Sequence, residues 1–419
     1  MYGLSRHRPR ALIRLPPSAT SPRRRALCCD LQTGAAGPMM ATSEVGPSPH
    51  AGRVVASLQR SGPSGPLGAF TNLCQSLVIG AATSTKLLFD FMRRPRSFLS
   101  RTDRRSLDQV EALPGATHQF LEVNGITLHA VSLGRAPDRP LLLFLHGFPE
   151  FWYSWRHQLA AFREQGYDAV AIDMRGYGQS SKPKGINAYN LEVLAADVAG
   201  VVRALGHEDC VLVGHDWGGI VAWVAAALYP ERITRLVVLA APHLGLVTLN
   251  GTKKQKAKSW YILLFQLPWL PELLLSCHDY RAIGQLYRQG AASGPVTDAF
   301  TDRDVQLYKH AFARPGAATA ALNYYRALGR HMTWRPLPRV WAAMRSPLTM
   351  PALSVMAAKD AALEPYLLRG LEEMSEGGKA LVLNDCSHWM PCDRPGEVTQ
   401  LITAFLDKHA GGSAAPSKM

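Results

Sequence analysis

From about residue 115 the apolar and polar positions settle into two alternating patterns. Short β-rich runs give way to helix-length amphipathic segments, which predicts a mostly parallel sheet covered by helices. A hairpin opens the series: Gln119 to Val123 and Ile126 to Val131 flank Asn124-Gly125, a two-residue signal for a tight antiparallel turn. Strand-like runs follow at Leu141 to Leu145, Asp168 to Asp173, Cys210 to Val213, Thr234 to Ala240, Pro351 to Met356 and Lys379 to Leu383. Helices are expected between them, among them Asn190 to Leu205 and Ile220 to Leu228, the latter stopped by Pro230. Between about His243 and Arg339 the alternation stops, and Leu-rich and aromatic helical stretches replace it. The expected organisation is therefore a leader and linker over 1–114, core over 115–243, a helical cap over 244–339, core again over 340–410, and a disordered tail over 411–419. No internal repeat is evident.

Charge distribution changes the picture only for the leader. The net charge is +14, but residues 1–106 hold 16 Lys and Arg against 4 Asp and Glu, and the rest of the chain is nearly balanced. A nucleic-acid groove needs its positive excess on the folded body, so no nucleic-acid partner is expected. The seven cysteines, Cys28, Cys29, Cys74, Cys210, Cys277, Cys386 and Cys392, form no C-x-x-C pair, which points to a reducing compartment and no metal site. Cys210 lies in a Val/Leu run and reads as core filling. The first 60 residues carry nine Arg, no Lys and two acids among many Ser, Pro and Ala. That composition fits an organelle transit peptide, and equally a disordered leader or an extension upstream of initiation near Met39 or Met40. Ser61 to Thr85 is uncharged yet too rich in Gly, Pro and polar residues for a membrane span. The next piece, Leu87 to Met92 followed by Arg93, Arg94, Arg96, Arg101, Arg104 and Arg105, suits either the surface of an anionic membrane or a solvated linker.

The sharpest chemical signal is Cys210-Val211-Leu212-Val213-Gly214-His215-Asp216-Trp217-Gly218-Gly219: a strand, a Gly-flanked turn and a helix, the context of a nucleophile elbow. Its central side chain is a carboxylate where serine is usual. An Asp with an ordinary pKa near 3.9 is already ionised at neutral pH and needs no base to attack a saturated carbon. The alkyl ester so formed is then hydrolysed by water, provided a base activates it. His388, in Asp385-Cys386-Ser387-His388-Trp389 after the last strand-like run, is the expected base. Asp360 follows the strand before it and fits the chain order nucleophile, acid, histidine. Two backbone N–H donors must hold the oxyanion, and those of Trp217 and of Phe148, in His146-Gly147-Phe148-Pro149, are the candidates.

Four stretches, His146-Gly147-Phe148-Pro149-Glu150-Phe151-Trp152-Tyr153-Ser154-Trp155-Arg156, Asp173-Met174-Arg175-Gly176-Tyr177-Gly178, Gly214-His215-Asp216-Trp217-Gly218-Gly219 and Asn323-Tyr324-Tyr325-Arg326, together resemble the α/β-hydrolase-fold epoxide hydrolases, and within them the epoxide hydrolase 3 and 4 group. The resemblance covers residues 115–408. It implies the α/β-hydrolase fold with an inserted helical cap, no cofactor, and an epoxide and water as reactants. It also implies two cap tyrosines that hold and protonate the epoxide oxygen, carried over here onto Tyr325 and Tyr261. Phenols of pKa near 10 stay protonated at neutral pH and can donate to a departing alkoxide. Phe148, Trp217, Phe265 and Trp389 are expected to wall the substrate pocket, and Leu263, Leu264, Trp269 and Leu270 make it apolar enough for a fatty-acid epoxide. Ala357-Ala358-Lys359-Asp360 departs from the family's Gly-Glu-Lys-Asp, and Ser387 from its Gly before the base; both leave the reacting side chains in place.

Singly, each of these residues has a plainer explanation. An Asp in a turn is routine, and Trp152, Trp155, Trp223, Trp341 and Tyr177 are ordinary core or pocket wall. His146, His215, His243 and His310 read as structural or exposed. The occurrence of elbow, oxyanion loop, late histidine and both tyrosines in order favours catalysis. A haloalkane or haloacid dehalogenase uses the same Asp216, His388 and Asp360 but needs halide donors in place of acidic phenols. A silent receptor of the same fold would be expected to lack a reacting residue.

Overall fold

The computed structural model describes residues 42–44, 54, 57, 65–109, 112–333 and 336–410. The transit-like residues before 41 and the expected tail over 411–419 lie outside the described residues.

Among the described residues nine strands form one sheet: β1 (Thr42–Glu44), β2 (Thr117–Val123), β3 (Ile126–Ser132), β4 (Leu141–Leu145), β5 (Asp168–Ile172), β6 (Cys210–His215), β7 (Ile233–Leu239), β8 (Ala352–Ala357) and β9 (Lys379–Leu383), in the order β1-β9-β8-β7-β6-β4-β5-β3-β2. Strands β4 to β9 pair in parallel, while β2, β3 and the edge strand β1 pair antiparallel. This is the α/β-hydrolase fold expected from the sequence. The central strands read as unbroken apolar runs because helices cover both faces, and every residue of β4, β5, β6 and β8 is buried. The hairpin turns where Asn124-Gly125 predicts, with Val123 opposite Ile126 and both turn residues at positive φ, 50° and 75°.

The helices are α1 (Gly65–Arg93), α2 (Arg156–Glu164), α3 (Leu191–Ala204), α4 (Trp217–Leu228), α5 (Leu244–Asn250), α6 (Lys253–Lys258), α7 (Trp260–Phe265), α8 (Leu270–Leu286), α9 (Asp302–Ala313), α10 (Ala317–Thr333), α11 (Pro338–Ala343) and α12 (Pro395–Lys408), with a few short turns of helix between them. Asn190 caps α3 by accepting from the Val193 N–H. Helix α4 is almost wholly buried and tolerates that because its residues are small or apolar all round. The seven helices α5 to α11 all fall between β7 and β8, where the strand pattern breaks off in the sequence.

Strand β1, helix α1 and two short helical turns, Pro95–Phe98 and Arg105–Gln109, lie in the segment expected to be leader and linker. Strand β1 extends the sheet beyond β9, with Ser43 opposite Val382. Helix α1 lies against the cap along a stripe of Ser76, Ile79, Gly80, Thr83, Leu87 and Asp90, the three-and-four spacing of a helix face. No described helix is long and apolar enough to cross a membrane. Cys74, Cys210, Cys277, Cys386 and Cys392 are all unpaired thiols.

Candidate active site

Asp216 is the residue between β6 and α4, and its backbone is forced into φ 49°, ψ −118°. A non-glycine residue at positive φ is strained, and the surroundings must hold it there. They do so by close approach at glycines. A Cβ on Gly214 would lie 2.4 Å from the Gly218 carbonyl oxygen, and one on Gly218 would lie 2.3 Å from the Leu145 carbonyl oxygen. The Asp216 N–H donates to Leu239 O at 3.0 Å and the Ile220 N–H to Asp216 O at 3.0 Å, so the elbow is bonded into both strand and helix.

The carboxylate meets the loop after β4. Asp216 Oδ1 accepts from the Phe148 N–H at 2.7 Å. Gly147 permits this approach, since a Cβ there would sit 2.5 Å from the Asp216 Cβ. The Trp217 N–H belongs to the first turn of α4, among the donors that have no acceptor within a helix. On the other side, Asp216 Oδ2 lies 3.6 Å from His388 Nε2, beyond a direct hydrogen bond. His388 Nδ1 is 2.8 Å from Asp360 Oδ2, and the N–H groups of Ala362 and Leu363 donate to Asp360 Oδ1 at 2.7 and 2.9 Å. Burial alone would make the His388 imidazolium unfavourable, yet the charges of Asp360 and Asp216 outweigh it and hold its pKa well above the ordinary value. Asp360 is likewise held below the usual carboxylate range, its burial outweighed by His388 and the two N–H donors.

Both departures in the loops are locally absorbed. With Ala357-Ala358, the Ala358 N–H still donates to Leu383 O and the Lys359 N–H to Cys386 O, while Lys359 pairs with Asp385 across the two loops. The Ser387 N–H donates to Asp393 Oδ2 at 2.8 Å, and Ser387 Oγ accepts from the Trp389 N–H at 3.2 Å, which fixes the turn carrying His388.

The cap brings its two tyrosines to the same cavity. Within Asn323-Tyr324-Tyr325-Arg326 the neighbours of Tyr325 are tied down on either side. The Tyr324 hydroxyl donates to Arg175 O at 2.7 Å, and the Arg326 guanidinium donates to Glu272 at 2.8 and 3.0 Å and to the carbonyls of Phe265 and Leu267. Arg326 thereby clamps α10 to the end of α7, the helix carrying Tyr261, and their phenol rings stand 6.1 Å apart. Tyr325 is packed between Trp217, Phe148 and Phe265, at 4.8, 5.3 and 5.0 Å. Burial, and after it the nearby negative groups, raise both phenols above their ordinary pKa, so both are protonated at neutral pH.

Two lobes meet at Asp216, Tyr261 and Tyr325. One, of about 570 Å³, runs past Trp217, Leu263 and Met332; the other, of about 300 Å³, runs past Phe148, Leu264, Phe265, His388 and Trp389. A separate cavity of about 290 Å³ beside His118 and Asp173 does not include Asp216 among its walls. The sequence placed Trp269 and Leu270 on the pocket wall, and the structure places them elsewhere. Trp269 is 82% exposed at a positive-φ turn, and Leu270 packs against the cluster of Leu87, Phe98 and Cys277.

Reading the histidines singly also passed over a bridge. His215, buried, lies 2.7 Å from Glu150 through Nδ1 and 2.8 Å from the His388 carbonyl through Nε2. Since a carbonyl only accepts, Nε2 carries a proton. Glu150 in turn accepts from the Gly147 N–H at 2.8 Å and the Ser154 hydroxyl at 2.9 Å. Burial would raise the Glu150 pKa, but His215 overrides it and brings it down to about 2. One pair thus joins the loop after β4 to the loop that carries His388. The signal available was that Glu150 and His215 both lie inside the recognised motifs.

A family description for the alpha/beta hydrolase fold matches residues 140–395, which include Asp216, Asp360 and His388. The chain is 37% identical over 296 residues to "AB hydrolase superfamily protein YfhM" of Bacillus subtilis, spanning 70% of this chain and 99% of that protein. It is 35% identical over 351 residues to "Epoxide hydrolase 4" of Mus musculus, spanning 80% and 91%. Among solved structures, an epoxide hydrolase of Bacillus megaterium in complex with an inhibitor superposes with a TM-score of 0.60 at 30% identity, over 69% of this chain and all of that one. With fold, motif order and nearly the full length of such relatives in agreement, this chain belongs to the α/β-hydrolase-fold epoxide hydrolases.

Proposed function

We propose that this hydrolase converts an apolar epoxide to a vicinal diol through a covalent ester on Asp216. The observation that carries the reading is a carboxylate backed by His388 and Asp360 on one side and sharing its cavity with two protonated phenols on the other. Asp216 Oδ2 attacks a ring carbon, the carbon–oxygen bond of the strained ring breaks, and its electron pair goes to the oxygen. Tyr261 and Tyr325 donate to that oxygen, which leaves as a hydroxyl on the adjacent carbon. The ester removes the negative charge that helped keep the proton on His388. His388 then releases that proton to solvent while solvent returns one to the phenolate left by ring opening, and the neutral imidazole takes a proton from water as the hydroxide adds to the Asp216 carbonyl carbon. The N–H groups of Phe148 and Trp217 hold the oxyanion, and its collapse expels the diol and restores the carboxylate.

Lobes of Leu, Ile and aromatic side chains on both sides of Asp216 favour an epoxide with alkyl arms, such as a fatty-acid epoxide. The outer side of α1 exposes Phe70, Leu88, Phe89 and Met92, beside Lys86, Arg93, Arg94 and Arg96, a combination that suits attachment to an anionic lipid surface. Co-sedimentation with phosphatidylserine vesicles, lost at high salt, is the expected result.

A single turnover in heavy-oxygen water tests the chemistry. The first diol should carry unlabelled oxygen from Asp216, with the label entering that carboxylate. Label appearing directly in the first diol excludes the ester. Halide released from bromoalkanes, with no diol from any epoxide, would identify a dehalogenase instead.

A further inference from the structure

The larger lobe is not closed by the hydrolase fold and its cap alone. Asn72, Leu73, Ser76 and Leu77 of α1 line it together with Asp216, Tyr261 and Tyr325. This wall comes from a segment that precedes residue 140, where the match to the alpha/beta hydrolase fold begins.

The contact is built. Gly80 faces the loop between α7 and α8 so closely that a Cβ there would sit 2.4 Å from Leu267 Cδ1. Two turns on, Leu87 joins Phe98, Cys277, Leu270 and Leu274 in a buried cluster. Beyond it, Asp90 Oδ2 lies 2.7 Å from His278 Nε2, Ser97 Oγ is 3.0 Å from His278 Nδ1, and Arg104 pairs with Asp279. These partners sit where α8 leaves helical geometry, over Cys277 to Tyr280, with His278, Asp279 and Tyr280 at φ between 52° and 57°. The Asp279 N–H, freed by that break, donates to Ser100 O at 3.2 Å. The cap helix is thus interrupted at the point where the chain leaving α1 docks, and this fixes α1 along the lobe. Leu73 and Leu77, about half exposed by area, face both the lobe and its mouth.

We infer that α1 is a substrate-binding wall, and that Leu73, Ser76 and Leu77 set selectivity for epoxides bearing a long unbranched alkyl arm. The inference rests on the proposed epoxide hydrolysis at Asp216. A small epoxide reaches the nucleophile without touching α1, whereas an alkyl arm filling the larger lobe runs along it. Each methylene taken from water against these leucines is worth about fourfold in binding. Putting carboxylates there removes that gain for two or more methylenes.

The test compares epoxidised methyl oleate with butene oxide, on full-length wild type, Leu73→Asp/Leu77→Asp, Ser76→Trp and Val78→Asp. Val78 is exposed and does not line the lobe, so Val78→Asp controls for a charge on the helix. For the double variant and for Ser76→Trp, the ratio of kcat/KM for the long epoxide over the short one is expected to fall at least about tenfold, mainly through KM. Val78→Asp should keep the wild-type ratio. An unchanged ratio in both lobe variants, or an equal fall in Val78→Asp, overturns the inference. Wild type that forms no diol from either substrate defeats the proposed reaction itself, so the two failures are distinguishable. Thermal unfolding midpoints within a few degrees of wild type confirm that the variants are folded.

Discussion

His388 holds opposite demands at successive moments. Before reaction two carboxylates surround it and its pKa stands well above the ordinary value, so it carries a proton that does no chemistry. In the proposed reaction, esterifying Asp216 removes one of those charges, and the base appears only when there is an ester to hydrolyse. The two half-reactions should therefore differ in pH dependence. Decay of the ester, followed in single turnovers, is expected to slow as pH falls through the His388 pKa of the esterified state, while ester formation shows no such limb. Formation needs protonated phenols, and because burial raises both of them its alkaline limb should lie above the ordinary phenol value of about 10. In His388→Gln, formation should persist and decay slow by about 10² to 10⁴, the usual range for losing a general base. Intact-mass measurement should then show an adduct at Asp216. Absence of the adduct after exposure to a reactive epoxide, in a folded variant, contradicts the scheme.

Among the elements, the loop after β4 and the loop after β9 are joined through Glu150 and His215. The Glu150 pKa of about 2 lies below its ordinary value near 4.5, so its contribution to stability is complete above about 4.5 and is lost as pH falls towards 2. That difference corresponds to something on the order of 3 kcal/mol. Glu150→Gln is expected to lower stability at neutral pH by about 1–3 kcal/mol and to flatten the dependence on pH below 5, as read by urea unfolding across that range. Gly147→Ala addresses the same loop from the other side. Its Cβ would collide with Asp216, so the Phe148 N–H must move from the carboxylate. Activity should fall by about 10² with the unfolding midpoint little changed, since a misplaced oxyanion donor costs that much. Wild-type kcat in a folded Gly147→Ala would show that the contact is dispensable.

Across the whole molecule, local pattern announced what depends on local chemistry. The buried strands β4 to β9 appear as apolar runs within one or two residues of their bounds, because a strand covered on both faces must be apolar throughout. The elbow was legible because only small residues permit the close approaches at Gly214 and Gly218. Helix α1 was not, since a stretch interrupted by Gly, Ser, Thr and Asn has little helical preference of its own and is held by α8, nearly 200 residues further on. The three-residue edge strand β1 escaped for the same reason: its partner β9 is distant and its side chains are half or fully exposed.

By itself, then, the sequence determined which groups the proposed chemistry would use: a carboxylate on a strained turn, a late histidine with its acid, and phenols in the inserted helices. Tertiary structure decided which groups act on one another. The meeting of Phe148 with Asp216, the clamp of Arg326 that aligns two tyrosine helices, the Glu150–His215 bridge and the wall that α1 adds to the cavity all join residues far apart in the chain. Distances between such residues are fixed by packing, and packing is a property of surfaces that exist only once the chain has folded.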